Sequence, residues 1–196
     1  MPPVLVALQG SPRRGNSRAL LDAVVEGARS ARPDVEVHLV EAYRVRVGPC
    51  TACGGCDGPD AGEGCVVEGD DWPPIEALLR SADALVFASP VYFRGLPAPV
   101  KSIVDRLQAM WELRERGGRV ATNAGPHRRA AVVLVASQGR GMFDGARGEV
   151  TAAVRTLGFD LAGELLAEGL EGAAEASRRP DLLARARELG RSLLAG

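Results

Sequence analysis

All four cysteines of the chain fall between Cys50 and Cys65, as Cys50-x-x-Cys53-x-x-Cys56 with Cys65 following after eight residues. Four thiolates on one glycine-rich segment, 48–66, are the donor set of a [4Fe-4S] cluster or an all-cysteine zinc site. Two successive C-x-x-C steps favour the cluster, because three ligands on a tight loop can take three corners of a cube. Reduced thiols in a packed loop are the plain alternative.

A second constellation lies nearer the N-terminus. Gly10-Ser11-Pro12-Arg13-Arg14-Gly15-Asn16-Ser17 joins the apolar run from Val4 to a helical pattern. Hydroxyls, successive backbone N–H groups and a helix N-terminus then surround one point, which is what a phosphate dianion requires. A triphosphate loop would have Lys where Asn16 stands. A single phosphate is the better fit, with Ser11, Asn16 and Ser17 as donors and Arg13 as charge partner. The competing reading is a capped helix beside solvated arginines.

The third constellation is Ser89-Pro90-Val91-Tyr92-Phe93-Arg94-Gly95-Leu96-Pro97-Ala98-Pro99. Tyr92 and Phe93 can wall a flat ring, and the prolines hold the backbone extended with its polar groups free to match a heterocycle edge. An isoalloxazine ring needs both properties. The glycine-rich stretch 137–142, with Gly139 at its centre, could approach the same ring from the other side. Ordinary packing is the alternative for the two aromatic residues. His38 and His127 have no context that makes either a catalytic partner or a ligand.

These residues need a scaffold, and the chain alternates β-prone runs with helical patterns. The runs start at Val4, Val35, Ala84, Ala130 and Phe159. Helices are expected over 16–31, from 72–75 to 81, and over 98–114, 146–157 and 181–194. Such alternation, joined by right-handed crossovers, predicts an α/β doubly wound parallel sheet of five strands in order 2-1-3-4-5, helices on both faces and a ligand cleft beyond the strands' carboxyl ends. One domain over 1–196 is expected at this length. The stretch 115–129 reads as a long surface loop that could shape a substrate entrance.

A net charge of −1 gives no electrostatic reason to expect nucleic acid or a membrane surface as partner. The longest apolar runs fall well short of the roughly 20 residues a membrane helix needs, and the N-terminal stretch lacks a secretory pattern. A soluble, cytoplasmic protein is therefore expected, where clustered cysteines point to metal or redox work. Lys101 is the chain's only lysine.

LQGSPRRGNSRALL and SADALVFASPVYFRGLPAPVKSIVDRL resemble the NADPH-dependent FMN reductases of the flavodoxin-like superfamily, and PDLLARARELGRSLL is similar to their terminal helix. With the cysteines added, the chain is most similar to the iron-sulfur flavoproteins of that group. The resemblance implies a flavodoxin-like fold with FMN phosphate on Ser11, Arg13, Asn16 and Ser17 and its ring on Pro90, Val91, Tyr92 and Phe93. It implies hydride transfer from NAD(P)H through FMN to a quinone, flavin or similar small acceptor. A non-catalytic carrier with FMN and a [4Fe-4S] cluster, reduced by a ferredoxin-like protein, is the alternative; a flavin-free protein with a zinc-stapled loop is a third. Lys101, Asp105 and Arg106 match the family's K-x-x-x-D-R, with a role expected at a subunit interface or cleft rim. Arg94 and Arg140 are candidates to steer the nicotinamide nucleotide. A homodimer or homotetramer is expected, with Met110, Trp111 and Leu113 as its apolar patch.

Overall fold

Successive residues of a strand face opposite sides of the sheet, so the apolar runs can feed two cores at once. In a computed structural model describing residues 1–120, 127–137, 139 and 141–195, five parallel strands do this: β1 (Val4–Gln9), β2 (Glu36–Glu41), β3 (Ala84–Pro90), β4 (Arg129–Val135) and β5 (Asp160–Ala167). Their order is β2-β1-β3-β4-β5, the flavodoxin-like order. Leu5 and Ala7 of β1 face one core while Val6 and Leu8 face the other. Central strands covered on both faces read as continuous apolar runs for this reason. β5, an edge strand, begins with exposed residues and carries a register shift opposite Ala130 and Ala131.

Helices α1 (Asn16–Ala31) and α6 (Pro180–Leu193) cover one face. Gly27 and Gly190 let these two helices touch backbone to backbone: a Cβ on either would lie 2.0 and 1.9 Å from a carbonyl oxygen of the other helix. The opposite face is covered by α2 (Trp72–Ser81), α3 (Ala98–Arg106), α4 (Gln108–Glu115) and α5 (Asp144–Thr156).

The helix expected over 98–114 is two helices. Leu107 interrupts it, with its N–H turning to the Val104 carbonyl (3.1 Å) in a tighter i−3 bond. Met110 and Leu113 are thereby buried in the core, so they do not form the expected apolar surface patch; Trp111 alone of that trio is exposed. Asp71 is the N-cap residue of α2 but makes no side-chain cap hydrogen bond there. Asp70 accepts the Trp72 N–H (3.0 Å) and the Gly48 N–H (3.1 Å), while Asp71 accepts the Arg46 N–H (2.7 Å). Both thus tie α2 to the segment leading into the cysteines.

Candidate functional site

The loop between β1 and α1 lies at the carboxyl end of the sheet, where β1 and β3 both deliver their chains. Gly10 donates to the Ala88 carbonyl (2.7 Å), and a Cβ at Gly10 would come within 2.5 Å of Ser89 Oγ and 2.7 Å of Val100 Cγ2. Only glycine fits between the start of the loop, the end of β3 and the first turn of α3. The loop then borders a cleft of about 270 Å3, near the lower end of the roughly 300–1,000 Å3 typical of small-molecule sites. Ser11, Arg13, Gly15, Asn16 and Ser17 line one side; Pro90, Val91 and Tyr92 line another; 135–137 and Leu170, Glu171 and Ala173 complete it.

The N-terminus of α1 carries no side-chain cap and no acidic residue in its first turn. Its unpaired N–H groups therefore remain a positive pole facing the cleft. Gln9 shapes this pole from behind. It is 1% exposed; its Nε2 donates to the Ser11 carbonyl (3.4 Å) and the Arg13 carbonyl (3.2 Å), while its Oε1 accepts from Arg18 Nη1 (3.1 Å). With these carbonyls drawn inward, loop N–H groups are left to point elsewhere. Ser11 Oγ accepts the Arg13 N–H (3.2 Å), which tightens the turn further.

Asn16 is committed to the structure. Its Nδ2 donates to the Gly172 carbonyl (2.7 Å) and its Oδ1 accepts the Ala176 N–H (2.9 Å). It therefore closes the loop after β5 over the cleft, leaving only its backbone for an anion. Tyr92 to Gly95 is a tight turn, with mutual N–H to carbonyl bonds of 3.0 and 2.9 Å. Phe93 (φ 49°) and Arg94 (φ 67°) occupy its two central positions. Non-glycine residues at positive φ in such a turn are strained. Phe93 is fully exposed at the tip and does not wall the cleft as expected; Tyr92 does. Gly139 does not border the cleft either, and packs against Glu168, whose Oε2 would meet a Cβ there at 2.3 Å.

The cysteines border a different cavity, of about 590 Å3, between their own loop and the outer side of α3, α4 and α5. Cys53 is exposed and the other three half-buried. Burial, then the neighbouring Cys65, and more weakly Glu112 and Cys50, push the Cys56 thiol up. This cavity shares no lining residue with the cleft. It meets α3 at Val104–Arg106, whereas the phosphate loop meets α3 at Val100. The thiols thus line a cavity separate from the cleft. Among the described residues, no three histidine, cysteine or carboxylate side chains are grouped closely enough to hold a metal ion. The donor chemistry nevertheless suits a thiophilic centre, since four thiols face one cavity.

Residues 3–155 match the family model described as NADPH-dependent FMN reductase. The chain belongs to that family. An iron-sulfur flavoprotein of Methanosarcina thermophila is 35% identical over 103 residues, covering 52% of this chain and 51% of that protein. One from Archaeoglobus fulgidus is 34% identical over 103 residues, covering 52% and 44%. The chain thus spans about half the length of these curated relatives. Among solved structures, an NAD(P)H:quinone oxidoreductase from Methanothermobacter marburgensis superposes with a TM-score of 0.68 at 21% identity, covering 97% of this chain and 98% of the other. An azoreductase from Bacillus anthracis gives 0.64 at 16%, covering 97% and 99%. At these identities the structural likeness speaks to the fold.

The family's K-x-x-x-D-R motif divides on the structure. Lys101 and Asp105 form an ion pair on the surface of α3. Arg106 turns inward: Nη1 reaches Asp70 (2.6 Å) and the Gly48 carbonyl (3.4 Å), Nη2 the Val67 carbonyl (2.9 Å), and the guanidinium lies 5.5 Å from the Trp72 ring centre. Arg94 lies 3.7 Å from Asp144, and Arg140 falls outside the described residues. The stretch expected to shape a substrate entrance leads into the amino end of β4, the edge opposite the cleft, because parallel strands all begin on one side. Residues 121–126 of it lie outside the described residues; Arg116 reaches carbonyls of the cysteine loop, and Arg128 is buried below β4 against the carbonyls of Leu79, Ala82 and Leu157. Gln9 is the residue of the site that sequence reasoning missed, whereas Arg106, expected at a subunit interface or cleft rim, is buried. Gln9 had one signal, a polar residue ending an otherwise apolar strand. No helix among the described residues is long and apolar enough to cross a membrane.

Proposed function

We propose that this chain is an FMN-dependent oxidoreductase that takes a hydride from NAD(P)H and passes electrons to a small acceptor such as a quinone or a second flavin. The observation that carries the reading is the uncapped N-terminus of α1 opening onto a cleft walled by Pro90, Val91 and Tyr92. Ser11, Ser17 and Arg13, with the loop N–H groups, suit a dianionic phosphate. Tyr92 and the apolar Pro90–Val91 segment suit the edge and face of a flat ring. FMN, when bound, supplies the hydride acceptance and electron release. The chain's residues have only to bind, orient and polarise, and none need serve as general acid or base. Arg94, exposed at the tip of the turn, is the candidate to hold a phosphate of the nicotinamide nucleotide. Arg94→Ala should raise KM for NADPH with kcat unchanged, the signature of lost uniform binding. A homo-oligomer in which a second copy covers the exposed Phe93 goes with this reading, and sedimentation of wild type against Phe93→Ser tests it. Anaerobic stopped-flow mixing of the FMN-loaded protein with NADPH tests the activity. Bleaching of the flavin band, reversed by a benzoquinone, is expected; a band that NADPH and NADH both leave unchanged overturns the reading.

A second reading is supported by one separate observation, the four thiols on one cavity. Cys50, Cys53, Cys56 and Cys65 would hold a [4Fe-4S] cluster, which supplies one-electron transfer, and a ferredoxin-like protein would then be the reductant. That the curated relatives are named iron-sulfur flavoproteins goes with it. Iron and sulfide assays on anaerobically purified protein test this: near four of each per chain supports it, and none of either after reconstitution removes it.

A further inference from the structure

The loop that carries the thiols has no strand or helix from 48 to 66, so no ladder holds its backbone. Three arginines from outside it do. Arg106, at the end of α3, takes the carbonyls of Gly48 and Val67, one at each end of the loop. Arg116, just after α4, takes those of Gly58, Ala61 (3.2 Å) and Gly62 (3.1 Å). Arg80, at the end of α2, takes that of Glu63 while its own charge is held by Glu76 (2.8 Å). A guanidinium has five N–H donors in a rigid fork, so one side chain can bind two or three carbonyls of a curled backbone; an ammonium cannot reproduce that geometry.

We infer that Arg80, Arg106 and Arg116 are positioning residues that order the cysteine loop around its cavity before any metal arrives. The inference rests on the cluster reading only for what the cavity finally holds. Preordering lowers the conformational cost of gathering four thiols around one centre.

The test uses the metal-free full chain. Glu63 and Glu68 lie in and beside the loop, so cleavage there by a glutamate-specific protease reports its release. Wild type should be cut slowly without metal, and Arg116→Gln at least tenfold faster with its thermal midpoint little changed. Arg116→Lys should not restore resistance, whereas a role limited to charge would be rescued by it. Arg106→Lys should loosen both loop ends while keeping the charge beside Asp70. Cobalt(II), followed by its thiolate absorbance, should bind the arginine variants about tenfold more weakly than wild type. Metal-free wild type cut as fast as Arg116→Gln would overturn the inference, as would full rescue by lysine. A resistant wild-type loop that takes up neither cobalt nor iron and sulfide would remove the cluster reading and leave the arginine scaffold standing.

Discussion

The cleft and the cysteine cavity lie at the two ends of α3, a helix of nine residues and about 13 Å, and they are built in opposite ways. The cleft is made by regular structure: β1, β3 and β4 end together, and a helix N-terminus faces the gap. The cysteine cavity is made by irregular chain whose carbonyls are gathered by arginines from three helical elements. A ligand site at the strand ends follows from topology; a site under a draped loop follows from particular side chains. The cleft should therefore fail through backbone crowding, and the cavity through loss of a guanidinium.

The largest effect is expected at Gly10. Gly10→Val would force atoms into Ser89 and Val100, and FMN uptake measured by flavin absorbance should fall more than tenfold, with about 1–3 kcal/mol of stability lost to overpacking. Protease resistance of the cysteine loop should be unchanged; a coupled loss would mean the two regions are not independent. Next is Gln9→Leu, which removes donors to two loop carbonyls. At about 0.5–1 kcal/mol for each of these two long hydrogen bonds, FMN affinity by calorimetry should drop roughly 5- to 30-fold. Riboflavin affinity should hardly move, since only the phosphate end is reshaped; an equal loss for both ligands would assign Gln9 to general packing. Replacing Phe93-Arg94 by Asn-Gly should raise stability by about 1–2 kcal/mol, because that pair is suited to two positive φ angles. A lower melting midpoint would show that the exposed aromatic makes contacts that outweigh the strain.

The smallest effect concerns pH at the cavity. Burial works against the charge of Asp70, but the N–H groups of Trp72 and Gly48 and the Arg106 guanidinium outweigh it and hold its carboxyl below the ordinary 3.8. A depressed carboxylate stabilises the fold fully above its unfolded value and loses that contribution as pH falls through and below it. Hydrogen exchange at the Gly48 and Trp72 amides should therefore quicken, relative to the core, below about pH 4. Asp70→Asn should abolish that difference, and a difference surviving the substitution would point to another carboxylate.

The sheet was legible in the sequence because central parallel strands, buried on both faces, must be apolar throughout, as Val4–Leu8 and Ala130–Ala136 are. Strand order followed from crossover handedness. The break at Leu107 was not legible: no proline or glycine marks it, and it exists so that Met110 and Leu113 reach the core. Within the cleft, Ser11, Arg13 and Ser17 could be named from type and position. The tie from Asn16 to Gly172 and Ala176 could not, since it spans some 160 residues of chain. The outward placement of Phe93 goes with a strained pair of dihedral angles, at Phe93 and Arg94, that composition does not encode. The arginines hid in plain view. Their abundance reads as a compositional bias, but Arg80, Arg106, Arg116 and Arg128 are each buried or half-buried and spend their donors on backbone carbonyls. Burial lowers the pKa of Arg128 to about 10, a measure of how far such a guanidinium is taken from water.

Titration calorimetry of the flavin-free protein with FMN and, separately, with riboflavin tests the central claim, that a helix N-terminus and its loop form a seat for one phosphate. FMN should bind at one per chain and at least a hundredfold more tightly than riboflavin, about 2.8 kcal/mol. Equal affinity for the two, or no heat from either, would contradict it.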